Sequence, residues 1–478
     1  MKTARSASFS RHSAPEPLRA DAATERSART AAPQMSRWPR VATISAALVA
    51  AAVFGPYTAL PGVRTEQLAV YASVLLLLPL AAAKLRLSVK AAATLFILVT
   101  VLLFSLLAAL LPFGGVEPYA RGALLPGIDN LLLPVAVVLL VHLWLALGAT
   151  RTALFNIFSK VLVLGALLNA ALTIASTQVD LSDRLQMFWG QPGAAESVAV
   201  QAAALGRFSG IFNQPAEAGL FYGAAVIVAI QLLQRRPVLL AAVTAVLVVG
   251  GAASVSKVFL LVALPIGLWR LGRVAGVRGR LLLSAAGLGG LGLLFSRAGL
   301  LPSWEGSARL AQLLSPESDY VNFYSAGRFG QGGSVTSVML DVVTVSPWAG
   351  FGASGLVVPY DSLWLEALVV AGLFGVLGNV LVLLLLSQSF VVKGRAEGNG
   401  DFRGVGGALV LLVIGASFGL PSLTANRAST VVWVLLTLTL LTAEHAQRQP
   451  SAAAEGQLLA TGRRNANVRG DAPQEGVG

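Results

Sequence analysis

The sequence predicts an all-α integral membrane protein with about twelve transmembrane helices and two long extracytoplasmic loops. Of the 478 residues, 55% are hydrophobic and only 12% are charged, whereas a soluble domain carries roughly 25% charged residues. The apolar residues occur in runs of about 18 to 25, the length that a helix needs to cross a hydrocarbon core about 30 Å thick. Because so few charged residues cannot cover a water-facing surface, these runs indicate membrane spans.

The spans are assigned from these apolar runs, which short polar loops separate. The run at 41–60 follows a basic stretch too long for a signal peptide and lacks a small-residue cleavage site, so we expect it to remain as the first span. The short runs at 237–252 and 257–271 form either two spans or one broken or re-entrant helix, and the arginine-rich loop after them favours two. The full set of expected spans is 41–60, 66–83, 90–112, 128–148, 153–175, 216–234, 237–252, 257–271, 281–297, 362–386, 405–421 and 428–443.

The basic residues predict the orientation of these spans. An N-terminus in the cytoplasm places the basic loops after the second, sixth, eighth and tenth spans inside, as the positive-inside rule requires. Two long outer loops result, and long loops in compact proteins tend to carry function. The expected segments are a disordered basic cytoplasmic tail at 1–40, nine spans at 41–297 with the outer loop 176–215, a large outer loop at 298–361, three spans at 362–445, and a disordered cytoplasmic tail at 446–478.

Composition excludes several kinds of site. The chain has no cysteine, which excludes disulfides, thiolate metal sites and cysteine nucleophiles. The net charge of +13 lies in tails and short loops and not along one face, so no nucleic-acid partner is expected. No zinc site or histidine base is expected outside, because the three histidines fall in the inner tails or near the inner end of the fourth span: His12, His142 and His445. A divalent ion bound by the carboxylates of Asp180, Asp183 and Glu217 is an open alternative, although their spacing matches no metal-binding loop.

The first candidate site is the end of the first outer loop, Gly206-Arg207-Phe208-Ser209-Gly210-Ile211-Phe212-Asn213. A guanidinium binds two phosphate oxygens at once, and neighbouring glycines let a bulky ligand approach the backbone. Arg207 is therefore a candidate catalytic residue, with Gly210 and Asn213 as candidate substrate-binding residues. The alternative is that Arg207 contacts only lipid headgroups.

The second candidate site lies in the large outer loop. Gly327 precedes Arg328, and a helix expected near 332–345 ends before Pro347. The loop closes with Tyr360-Asp361, where a carboxylate near arginines can accept a proton from an attacking sugar hydroxyl. Arg328 and Asp361 are therefore candidate catalytic residues, and Gly327 and Tyr360 are candidate binding residues. The alternative role for Asp361 is to cap the next helix.

These segments resemble the motifs of the O-antigen ligase/polymerase superfamily. Arg207-Phe208-Ser209-Gly210 with Asn213 and Pro215 is similar to one motif, and Ser254-Val255-Ser256-Lys257 is similar to a short Ser-Arg element. A longer block agrees in order and loop placement: Gly327-Arg328, Pro347, Gly350-Phe351-Gly352, Asp361-Ser362-Leu363-Trp364-Leu365 and Gly372-Leu373-Phe374-Gly375. Ligases of this family have histidine where this chain has Asp361, so the resemblance points to a Wzy-type polymerase.

The resemblance implies a GT-C-like fold in the family sense and a metal-independent, inverting glycosyltransferase without a cofactor. It implies undecaprenyl-pyrophosphate-linked oligosaccharides as substrates, with membrane lipids and a chain-length regulator as partners. The implied location is the bacterial cytoplasmic membrane, with both termini in the cytoplasm. In this interpretation Arg207 and Arg328 stabilise the pyrophosphate and Asp361 deprotonates the acceptor. The alternatives are an O-antigen ligase, a lipid-linked oligosaccharide flippase or other transporter, and a scaffold without catalysis.

Overall fold

The computed structural model describes residues 38–58, 63–111, 115–190, 197–274, 306, 333–357, 360–391 and 402–442. Within this part of the chain, regular structure is helical throughout, and a single isolated β-bridge joins Tyr57 to Arg64. Gly327, Arg328, most of the two tails and the expected span 281–297 lie outside the described residues. The helix expected near 332–345 is present and begins at Ser334.

The described helices are α1 (Trp38–Ala52), α2 (Thr65–Ala81), α3 (Val89–Leu110), α4 (Leu124–Ala146), α5 (Arg151–Ser176), α6 (Ser182–Trp189), α7 (Val198–Ala203), α8 (Pro215–Leu233), α9 (Pro237–Ala253), α10 (Leu264–Val274), α11 (Ser334–Val345), α12 (Leu363–Val391), α13 (Phe402–Ala416) and α14 (Asn426–Leu436). The π-helical segments Val258–Ala263 and Thr437–Leu441 adjoin α10 and α14. Local chemistry fixes several helix starts. Ser88 caps α3 by accepting the Ala91 N–H at 3.1 Å, and α8 and α9 each begin with proline, which has no N–H to leave unpaired there.

Six helices are long and apolar enough to cross a membrane: Thr65–Lys84, Val89–Leu110, Leu124–Ala146, Arg151–Ser176, Pro215–Leu233 and Leu363–Gln388. Five shorter apolar helices accompany them in the described residues. The prediction of a helical membrane protein is therefore confirmed. The count of twelve spans remains a prediction.

Hydrogen bonds between helix ends show that the bundle has two distinct ends. We call the end at which α2, α4, α8, α12 and α14 begin the cluster end; α1, α3, α5, α9 and α13 begin at the opposite end. At the cluster end, Leu363 N donates to Ser417 O at 2.9 Å, which joins the start of α12 to the end of α13. At the opposite end, Ser88 Oγ donates to Leu441 O at 2.5 Å, which joins the start of α3 to the segment after α14.

Helix α8 is the centre of the bundle. It packs against α5, α9, α10, α13 and α14, and 78% of its most apolar stretch is buried. Gly219 lets Ser256 pack directly against the helix, and small residues of this kind allow close helix packing in membranes. The segment after α9 then follows α8 to its other end, where Arg270 donates to Gln231 Oε1 at 2.9 Å. The runs at 237–252 and 257–271 are therefore two antiparallel helices.

Helix α12, expected as one span, is broken. Ala371 has φ −144° and Gly372 has φ 60° and ψ −150°, both outside helical geometry. The loop after α11 enters this break: Phe351 N donates to Val369 O at 2.6 Å, and Leu373 N donates to Pro347 O at 2.9 Å. Backbone groups at membrane depth need such partners because lipid offers none.

Candidate functional site

The segment 206–214, which joins α7 to α8, is fixed by side chains from other helices. Asn169 of α5 accepts the Ile211 N–H at 2.8 Å through Oδ1, and its Nδ2 donates to the Tyr222 hydroxyl at 2.8 Å. Trp189 of α6 donates its indole N–H to Gly210 O at 2.8 Å. Arg427 of α14 donates to Ile211 O at 2.8 Å. Three helices therefore hold two adjacent residues of this segment.

Backbone contacts fix the first half of the same segment. Arg207 N donates to Ala202 O at 2.9 Å, and Phe208 N donates to Ala253 O at 3.1 Å. Ala253 ends α9, just before Val255, whose φ of 45° is unfavourable for a β-branched residue. Strained residues of this kind are concentrated at functional sites.

Gly210 and Asn213, the predicted binding residues, have structural roles here. Gly210 has φ 63°, and a Cβ at this position would clash with Asn169 Oδ1, so only glycine fits. Asn213 accepts the Ala199 N–H at 3.4 Å through its side chain. Their binding of substrate stays a prediction.

Arg207 is half-buried and lines a small pocket at the cluster end. Serine side chains and one carboxylate lie with it along the pocket: Ser176, Asp180, Ser182 and Ser209. The cavity volume is about 20 Å³, room for one water-sized group such as a single phosphate oxygen. Hydrogen bonds from Ser182 lower the pKa of Asp180, which therefore stays ionised. The pocket presents a cation, a carboxylate and serine side chains, of which Ser176 and Ser209 donate to the carbonyls of Leu172 and Phe212.

A buried ion-pair network lies beside this segment. Arg64 Nε contacts Glu66 Oε1 at 2.5 Å, and Arg427 Nε lies 3.8 Å from Glu66 Oε2, so two guanidinium groups share one fully buried carboxylate. Arg64 NH2 lies 3.9 Å from Asp129 of α4. Burial disfavours the charged form of Arg64, but attraction to Glu66, Tyr57, Asp129 and Glu217 together outweighs it and raises the pKa of Arg64. Arg64 is therefore held in its charged form.

The network extends along α8 and over Arg427. Glu217, in the first turn of α8, accepts the backbone N–H of Arg427 at 3.0 Å. The rings of Tyr57 and Phe188 lie over the Arg427 guanidinium at 5.7 and 5.9 Å, distances that suit a cation–π contact. The sequence suggested Glu217 only as a metal ligand and did not indicate Arg64, Glu66 or Arg427. Charged residues at the starts of apolar runs were the available signal.

The end of the second loop also lies at the cluster end. Ser362, and not Asp361, is the N-cap of α12, because its carbonyl accepts the Glu366 N–H at 3.0 Å. Tyr360 donates to Gly355 O at 3.4 Å, and burial, then the nearby Glu366 charge, raises the pKa of Tyr360. The buried Glu366 accepts a hydrogen bond from the Thr424 hydroxyl at 2.5 Å.

The structure places Arg207 and Asp361 at the same end of the bundle. They are linked through the turn between α13 and α14: Ser362 Oγ donates to Ser417 O at 3.2 Å at one side, and Arg427 holds Ile211 at the other. Among the described residues, no three histidine or acidic side chains are grouped so that they could hold a metal ion.

These features define a helical membrane protein with a buried ion-pair network at one end of the bundle. Comparison with models of known protein families finds no match. Comparison with curated proteins finds no match either. The membrane-protein class therefore rests on the chain's own helices, and its activity is inferred from the chemistry of its residues.

Proposed function

We propose that this protein is a Wzy-type glycosyltransferase that polymerises lipid-pyrophosphate-linked oligosaccharide repeat units at the outer face of the bacterial cytoplasmic membrane. The product class is O-antigen, exopolysaccharide or capsule. The donor has to carry its own leaving group on the lipid, because nucleotide sugars are confined to the cytoplasm. The cluster end faces outward in this proposal.

The observation that carries the proposal is the fixed position of Arg207. Its segment is held by Asn169, Trp189 and Arg427, and its side chain lines a pocket with serine hydroxyls. A cation held in advance stabilises charge as it develops, without the cost of reorganising during the reaction. A leaving pyrophosphate is the group that needs such stabilisation, and a guanidinium fits two of its oxygens.

The proposed reaction is one displacement. An acceptor hydroxyl attacks the anomeric carbon, a new C–O bond forms, and the C–O bond to pyrophosphate breaks with its electron pair leaving on the lipid pyrophosphate. The hydroxyl proton passes to the carboxylate of Asp361. Arg207 stabilises the growing negative charge, and Arg328, which lies outside the described residues, is proposed to share this role. A single displacement inverts the anomeric configuration.

The position of the acidic residues favours an enzyme over a transporter. Glu66, Asp129, Glu217 and Glu366 all lie within the first six residues of their helices. No acidic side chain in the described spans is therefore near the middle of its helix, where a secondary transporter binds its substrate and coupling ion.

The proposal is tested by deleting the chromosomal copy and separating the cell's surface polysaccharide on a gel. The strain is complemented with wild type, Arg207→Ala, Arg207→Lys or Arg184→Ala, with each protein quantified in the membrane. Arg184 is an exposed arginine at the same end and serves as the matched control. We expect a ladder of polymer from wild type and Arg184→Ala, and single repeat units from Arg207→Ala. Arg207→Lys should restore little polymer, because an ammonium loses the two-point geometry.

The other outcomes separate the alternatives. A full ladder from Arg207→Ala at wild-type protein level contradicts the role of Arg207. Long lipid-linked glycan that accumulates without transfer means an O-antigen ligase. An unchanged polysaccharide pattern in the deletion strain overturns the proposed function.

A further inference from the structure

We infer that Arg427 is a positioning residue that holds the Arg207 segment in its working conformation. This inference rests on the proposed function, but it concerns a residue that lies 220 positions further along the chain, on α14. Its guanidinium donates to Ile211 O at 2.8 Å, four residues after Arg207. Arg427 acts through this segment and is not placed in contact with substrate.

Arg427 holds the segment at two points. Its side chain binds Ile211 O, and its backbone N–H binds Glu217 Oε1 at 3.0 Å in the first turn of α8. The connection from Arg207 into α8 is therefore tied to the start of α14 on both sides of Asn213. Because Asn169 binds the N–H of Ile211, both backbone polar groups of Ile211 are held by side chains from different helices.

An arginine is required here because one planar group meets a carboxylate, a carbonyl and two aromatic rings. Arg427 is only 2% exposed, and a buried charge is costly without partners. Glu66 lies 3.8 Å from its Nε and compensates the charge, while NH1 remains directed at Ile211 O. The faces of Tyr57 and Phe188 provide the remaining packing. Lysine has a single charged nitrogen and cannot reach both the carboxylate and the carbonyl in this geometry.

The test measures the segment directly, by hydrogen–deuterium exchange of the full chain in membrane nanodiscs. Wild type is compared with Arg427→Lys and with Arg270→Lys. Arg270 is an equally buried arginine at the opposite end, so its substitution controls for a general cost of burying lysine. We expect exchange of the amides at 207–213 to rise at least tenfold in Arg427→Lys and to stay at the wild-type rate in Arg270→Lys.

A second measurement asks whether Arg427 acts through Arg207. In the polysaccharide assay, Arg427→Lys alone should lower polymer yield at least fivefold. Added to Arg207→Lys, which still makes a little polymer, it should lower the yield by less than fivefold, because the two-point geometry that it positions is already lost. A further fivefold loss in the double variant contradicts action through Arg207.

The outcomes distinguish this inference from the proposed function. Unchanged exchange at 207–213 in folded Arg427→Lys overturns the positioning role. Faster exchange with full polymer yield confirms positioning of the segment but contradicts the role of Arg207 in polymerisation. If Arg427→Lys does not accumulate, Glu66→Gln is used, because it removes the charge that faces Arg427 and keeps the side-chain shape. Wild-type exchange in Glu66→Gln then overturns the inference.

Discussion

At the residue scale, Gly210 has a structural role that the sequence did not indicate. The flanking glycine was predicted to admit a ligand, whereas its φ of 63° and the contact with Asn169 require glycine for the fold itself. We expect Gly210→Ala to lower the free energy of unfolding by about 1 to 3 kcal/mol, from backbone strain and displaced Asn169 hydrogen bonds. Thermal unfolding in detergent measures this loss.

The matched control for Gly210→Ala is Gly272→Ala. Gly272 lies in α10, and a Cβ there meets no atom within 4 Å. Alanine in a helix interior is favoured over glycine by roughly 0.5–1 kcal/mol, so this variant should keep or raise stability. Equal melting temperatures for the two alanine variants would show that the Asn169 contact does not constrain position 210.

The ion-pair network marks the limit of residue-level prediction. Arg207 was predictable because it lies next to glycines in one loop. The ion-pair network joins the start of α2, at Arg64 and Glu66, to Arg427 in α14, which lies more than 350 residues further along the chain. Only the packing of the helices brings these residues together. Each of the three alone has the sequence context of an ordinary charged residue at a span boundary.

At the element scale, apolar runs predicted the positions of uninterrupted helices well. The run at 90–112 corresponds to Val89–Leu110, and the run at 153–175 corresponds to Arg151–Ser176. The break in α12 was missed because the stretch that contains it, 367–378, is apolar throughout. It depends on the loop from Pro347 to Phe351, whose backbone supplies the partners for the interrupted helix.

The break in α12 predicts the effect of one substitution. Gly372 has φ 60°, and a Cβ there would clash with the carbonyl of Trp348. We expect Gly372→Ala to expel the loop and to raise hydrogen–deuterium exchange across 347–357 at least tenfold. Leu373→Ala is the control, because Leu373 is 42% exposed and keeps the same backbone. Equal exchange in both variants would contradict a loop held by the break.

At the scale of the whole molecule, charge is divided between the two ends of the bundle. Every acidic residue in the described part of the chain lies at the cluster end: Glu66, Glu117, Asp129, Asp180, Asp183, Glu217, Asp341, Asp361 and Glu366. The charged residues described at the opposite end are all basic: Arg40, Lys84, Arg86, Lys90, Arg151, Arg235, Arg236, Arg270, Arg273 and Arg403. This distribution favours a cytoplasmic opposite end, because cytoplasmic loops are rich in lysine and arginine.

The orientation is tested with single cysteines, since the native chain has none. Gln178 follows α5 at the cluster end and Gln234 follows α8 at the opposite end, and both are exposed. In right-side-out membrane vesicles, a membrane-impermeant maleimide should label Gln178→Cys and should label Gln234→Cys only after permeabilisation. The reverse pattern would place Arg207 and Asp361 in the cytoplasm, where nucleotide sugars are present and a lipid-pyrophosphate donor is no longer required. Orientation therefore decides which donor chemistry the arginine site can serve.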